Sequence, residues 1–88
     1  MMTQSQEMNL LNINDLISLK ENFNEFEAYY KGRHILISPI SDRLVIIRWG
    51  DTIDEEEGPM WKDMLDCPIM DGKTLRQMAV AGELMWDV

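Results

Sequence analysis

Between Phe26 and Trp49 the chain reads FEAYYKGRHILISPISDRLVIIRW. Phe26, Ala28 and Tyr30 alternate with Glu25, Glu27 and Tyr29, the period-two pattern of a half-buried strand. Lys31-Gly32 supplies a tight turn, since glycine adopts a positive φ without a steric penalty. His34 to Ser38 forms a second strand. Pro39-Ile40-Ser41-Asp42 reads as the next turn, because proline presets φ and aspartate bonds its own backbone. Leu44 to Trp49 is the third strand and the most apolar. Both of its faces are apolar, which predicts a central position or helices on both sides. Short turns between neighbours make this a three-stranded antiparallel meander.

Outward from the meander the period changes. Leu10, Ile13, Leu16 and Ile17 fall at steps of three and four, a helical stripe. Asn12 or Asn14 is placed to cap it, Asp15 suits its first turn, and Asn22 suits its end. Residues 1–9 are expected to fray. On the other side, Asp51 to Gly58 reads as an acidic loop. Pro59 fits the first position of a helix carrying Met60, Trp61, Met64 and Leu65. Asp71-Gly72 is a turn. Thr74 caps a last helix, Leu75 to Ala81, which Gly82 closes. Leu84 to Val88 reads as a short strand or docked tail. The expectation is a single α+β domain over residues 1–88. Its element order is α-β-β-β-α-α: an N-terminal helix, the three-stranded meander and two short C-terminal helices.

The chain has 88 residues and a net charge of −8. Its apolar fraction of 45% is too high for a disordered chain. No apolar run approaches the ~18 residues of a membrane span. The N-terminus lacks a basic segment, which argues against a signal peptide. The lone Cys67 excludes an internal disulfide, and a reducing cytoplasmic setting fits. Charge is unevenly placed. Residues 51–71 hold eight acids (Asp51, Asp54, Glu55, Glu56, Glu57, Asp63, Asp66 and Asp71) against Lys62 alone. Such a patch repels nucleic acid and attracts basic surfaces. Three readings of the run stand: a solvated loop, an acidic face for a basic partner, and weak binding of divalent cations.

Enzymatic chemistry finds little footing. His34, the single histidine, lies in a strand, and Cys67 precedes a proline. Nothing in the pattern joins them into a nucleophile–base pair. Asp71-Gly72-Lys73-Thr74 imitates the end of a phosphate-binding loop, but Cys67 stands where that motif requires glycine. From Asp51, a calcium loop would place an acid at Ile53 and a glutamate at Lys62. The expectation is therefore no enzyme, no cofactor and no metal site. Candidate partner-binding residues are Asp51, Asp54, Glu55, Glu56, Glu57, Trp61 and Asp63. A second possibility is a structural or regulatory adaptor, or a homodimer, that docks through Met60, Trp61, Met64, Met78 and Trp86.

Asn12-Ile13-Asn14-Asp15-Leu16-Ile17 resembles the opening of a small acidic anti-CRISPR protein family encoded by phages. Leu44 to Arg48, and the acidic run before Trp61-Lys62-Asp63-Met64, resemble its later segments. Pro68 to Leu75 is similar to the tail of many small reading frames in phages and mobile elements of Gram-positive bacteria. The first resemblance implies an α-β-β-β-α-α order and an inhibitor that mimics DNA at a basic surface of a CRISPR effector nuclease. The carboxylates of Asp51, Asp54, Glu55, Glu56, Glu57 and Asp63 would then stand in for phosphates. The partner would be a host protein in the cytoplasm, with no direct contact to nucleic acid or membrane.

Overall fold

The computed structural model describes residues 8–87. Its elements in chain order are β1 (Asn9–Leu10), α1 (Ile13–Glu21), β2 (Phe26–Tyr30), β3 (Arg33–Ile40), β4 (Arg43–Trp49) and β5 (Ile53–Met60). A 3-10 turn (Trp61–Asp63), β6 (Pro68–Met70), β7 (Lys73–Thr74), α2 (Leu75–Val80) and β8 (Leu84–Trp86) complete it. Six strands form one sheet in the order β1-β8-β2-β3-β4-β5, and β6 and β7 form a separate hairpin. All of the pairings are antiparallel.

The β2-β3-β4 meander lies at the heart of this sheet, but the three-stranded α-β-β-β-α-α expectation is corrected. The sheet is twice as wide. β8 returns from the C-terminus to pair with β2, and β1 pairs with β8, so Asn9 and Leu10 are held in a strand. Of the stretch expected to fray, residues 1–7 lie outside the described residues. At the opposite side β5 extends β4. The expected loop from Asp51 to Gly58 is therefore mostly strand. Pro59 opens no helix. It stands in an edge strand, where its missing N–H costs no ladder bond. Of the two C-terminal helices, the first is only the 3-10 turn at Trp61–Asp63.

Local chemistry explains the elements that were anticipated. The Asn12 side chain accepts from the Asp15 N–H at 2.9 Å, and the Asp15 carboxylate accepts from the Asn12 N–H, a reciprocal cap for α1. Thr74 and Gln77 do the same for α2. Lys31 and Gly32 both have positive φ, as the tight turn between β2 and β3 requires. The Asp71–Gly72 turn repeats that pattern. The turn between β3 and β4 is narrower than expected: Pro39 and Ile40 remain in β3, and Ser41 takes the positive φ.

One face of the sheet is covered. Phe26, Ala28, Tyr30, Ile35, Ile37, Leu44, Ile46 and Leu84 point to it from four strands. Against them pack Leu16 of α1, Leu75 and Met78 of α2, and Trp61, Met64, Leu65, Ile69 and Met70 of the intervening segment. Trp61 is 2% exposed, and its indole N–H donates to the Lys20 carbonyl at 2.9 Å. Its backbone N–H donates to the Asp42 carbonyl, tying the 3-10 turn to the β3–β4 turn. Among the described residues, no helix covers the other face. Of the two placements expected for β4, the inner position is met, since it lies between β3 and β5, and helices on both sides are not; its outer residues Ile47 and Trp49 remain half-exposed.

Candidate functional site: the bare sheet face and its acidic edge

The register places one row of side chains across the whole bare face. Leu10 pairs with Met85, Met85 with Tyr29, Tyr29 with His34, and Trp49 with Ile53. The His34 ring joins the two halves. It stacks on Tyr29 with centroids 4.7 Å apart and on Trp49 at 4.2 Å. His34 is therefore the middle of a three-ring stack, where the sequence suggested only an ordinary strand residue. Such stacking contributes about 0.5–1.5 kcal/mol per pair and stiffens the row. The next row reads Glu27, Leu36, Ile47, Glu55, and the one beyond it Ser38, Val45, Glu57.

The centre of this face is thus apolar and its flanks are acidic. On the β2 side, Glu27 bonds His34 Nε2 at 2.6 Å, and Glu25 accepts from the Ser38 hydroxyl at 3.0 Å. Beside them, where β8 diverges from β2, an open cleft of about 330 Å³ is lined by Glu25, Glu27, Tyr29, Leu36, Trp86 and Asp87, with Phe26. On the β5 side stand Glu55 and Glu57.

The acidic run itself is split by the pleat of β5. Successive side chains of a strand point to opposite faces. Asp54 is paired with Arg48, and Glu56 with Ile46, on the covered side. Arg48 reaches both carboxylates: Nη1 donates to Asp54 at 2.7 Å and Nη2 to Glu56 at 2.9 Å. Its Nε donates to the Ile69 carbonyl at 2.8 Å. One guanidinium thereby fastens β5 to the β6 segment. The other two arginines of β3 and β4 bond elsewhere: Arg33 meets Asp71 at 2.8 Å, and Arg43 donates to the Gly58 carbonyl.

The seven residues singled out in the sequence therefore fall into four places. Glu55 and Glu57 share the bare face. Asp54 and Glu56 are clamped to Arg48. Asp51 is exposed in the β4–β5 turn, and Asp63 is exposed in the 3-10 turn. Trp61 is in the core, away from any partner. Met64 and Met78 are buried with it, so the adaptor reading loses three of its five docking side chains. Sequence reasoning missed Tyr29, Trp49 and Ile53. For Trp49 and Ile53 the signal was the run Trp49-Gly50-Asp51-Thr52-Ile53, β-formers around a Gly-Asp turn; for Tyr29 it was the alternation of Phe26 to Tyr30.

No family model, no curated protein and no solved structure matches this chain. The chemistry must be read from the residues. Among the described residues no group of three or more His, Cys, Asp or Glu is arranged to hold a metal ion. Among them, too, no helix is long and apolar enough to cross a membrane. Cys67 is half-buried, and burial pushes its thiol above the ordinary range, away from the reactive thiolate. What the surface offers is an ordered apolar platform with carboxylates on two sides, suited to binding.

Proposed function

We propose that this chain is a binding protein that occupies a basic surface of another protein, and that it inhibits a nucleic-acid-handling enzyme by doing so. One observation carries the reading. The bare sheet face sets a stiff apolar and aromatic row beside outward carboxylates, Glu55 and Glu57 on one flank and Glu25 and Glu27 on the other. Apolar centres supply affinity in protein interfaces, and surrounding charges supply steering and partner choice. A partner that binds phosphates presents the complementary lysines and arginines. The resemblance to small acidic phage inhibitors points the same way, with a CRISPR effector nuclease as the corresponding target.

The geometry revises the phosphate-mimic picture. Asp54 and Glu56 spend their charge on Arg48, which leaves Glu55 and Glu57 as the carboxylates of the run on the bare face. Charge-assisted contacts contribute about 1.5–3 kcal/mol each when desolvated, and much less at a wet rim. The test is displacement: DNA binding by a panel of purified bacterial nucleases, CRISPR effectors included, is measured with and without the chain. At least one nuclease should lose its DNA at about 0.1 M salt, and its direct affinity for the chain should fall toward 1 M, as the screening length drops from roughly 10 to 3 Å. A Glu55→Gln/Glu57→Gln variant should displace less. Unchanged DNA binding across the panel, or equal displacement by the variant, would contradict the proposal.

A further inference from the structure

Beyond its face, the sheet has two edges, and they differ. β1 is two residues long and presents too little backbone to template anything. β5 is eight residues long and stands last in the sheet, and among the described residues its outer backbone edge is unpaired. From Ile53 to Glu57 its register with β4 is unbroken, and Ile53, Asp54, Glu55, Glu56 and Glu57 are all exposed. The irregularity at Gly58–Pro59 closes only the far end. An unpaired regular strand of this kind is a template for another strand.

We infer that the β5 edge, Ile53 to Glu57, takes up an extended basic segment of the partner as a seventh strand, added antiparallel. The inference rests on the binding reading above and names the form of the ligand. Three observations set that form. A second copy of the chain is disfavoured, because pairing β5 with itself would bring Glu55, Glu56 and Glu57 against their own counterparts. A strand carrying lysine or arginine meets the opposite situation and gains cross-strand charge pairs with the same residues. The Arg48 clamp on Asp54 and Glu56 fixes the edge before binding, so little order remains to be imposed. Residues directly opposite in a strand pair share a face. The partner segment would therefore carry basic residues opposite Glu57 and Glu55, two positions apart, and an apolar residue opposite Ile53 two positions further on.

A synthetic peptide written to that pattern, Lys-Thr-Lys-Thr-Ile flanked by threonines, tests it on the whole chain. Its control has the same sequence and charge, with alternate backbone nitrogens methylated along the edge that would bond β5. Affinity is read by calorimetry, and amide exchange of Ile53 to Glu57 by NMR. The unmodified peptide should slow exchange in that segment, and the methylated one should bind about tenfold more weakly or worse. Equal binding by both peptides would overturn strand addition while leaving the basic-surface reading intact. Binding by neither would also overturn it, and the displacement assay then judges the basic-surface reading by itself.

Discussion

The two faces of the six-stranded sheet are built from the same strands and differ in what covers them. The covered face carries Ala28, Ile35, Ile37 and Leu44 at 0% exposure beneath α1, α2 and Trp61. The bare face carries Tyr29, His34, Leu36, Ile47 and Trp49, half-exposed and apolar or aromatic, with glutamates at its sides. The pleat sends alternate residues of each strand to each face, and β5 shows it most plainly. Asp54 and Glu56 are structural because Arg48 lies on their side. Glu55 and Glu57, chemically the same, make no ion pair among the described residues. Strand parity decides which of these carboxylates Arg48 can reach.

The contrast is broken most severely by Trp61→Ala. It empties a fully packed indole site and removes the indole hydrogen bond to the Lys20 carbonyl, so unfolding free energy should fall by about 3–5 kcal/mol in urea titration. Loss of only a few tenths would mean that Trp61 is not part of the core.

Arg48→Met comes next. Two carboxylates and the Ile69 carbonyl lose their donor, but Asp54 and Glu56 are more than half exposed and water replaces much of the loss. A destabilisation of about 1–2 kcal/mol is expected. Amide exchange should rise first in β5.

Ile53→Thr sharpens the comparison from the bare side. The side chain is 66% exposed, and threonine is a good strand former, so stability should stay within about 0.5 kcal/mol. Binding of the basic peptide should nonetheless weaken. A stability loss as large as that of a core residue would show that the bare face is holding the fold together.

The smallest effect concerns Asp66, which lies on the segment leading into β6. Its hydrogen bond from Arg76, Nε at 2.7 Å and Nη2 at 3.1 Å, holds its carboxyl below the usual carboxylate range. A depressed folded-state pKa adds stability above the unfolded value and loses it as pH falls through the folded one. Asp66→Asn should therefore lower the melting temperature slightly at neutral pH and converge with wild type at the acid end. Divergence that grows toward low pH would contradict the assignment.

The sequence made the covered face and its caps legible to different degrees. Alternation at Phe26, Ala28 and Tyr30, the Lys31-Gly32 turn, and the caps at Asn12 and Thr74 rest on local chemistry that survives in the fold. β1 and β8 were hidden or ambiguous because strands of two and three residues show no period, and their pairing is a long-range event. β5 was hidden because glutamates disfavour strands in isolation. Its pairing with β4 and the Arg48 clamp override that preference. The acidic character of the candidate site was readable from Asp51 to Glu57. Its division between two faces was not, because parity has meaning only once the segment is known to be a strand. The Tyr29–His34–Trp49 stack joins three strands and depends on register, which no local pattern supplies.

The central claim is that parity, and not net charge, assigns the acids of β5. Two double variants change the charge by the same +2: Glu55→Gln/Glu57→Gln on the bare face and Asp54→Asn/Glu56→Gln on the covered side. Each is titrated with the lysine-bearing peptide at about 0.1 M salt, where surface charge still acts over roughly 10 Å. The bare-face variant should lose affinity and keep its melting temperature. The covered-side variant should lose melting temperature and keep most of its affinity. Equal losses of affinity in the two would mean that the run acts through its total charge, and the division of the strand into a structural and a binding side would be wrong.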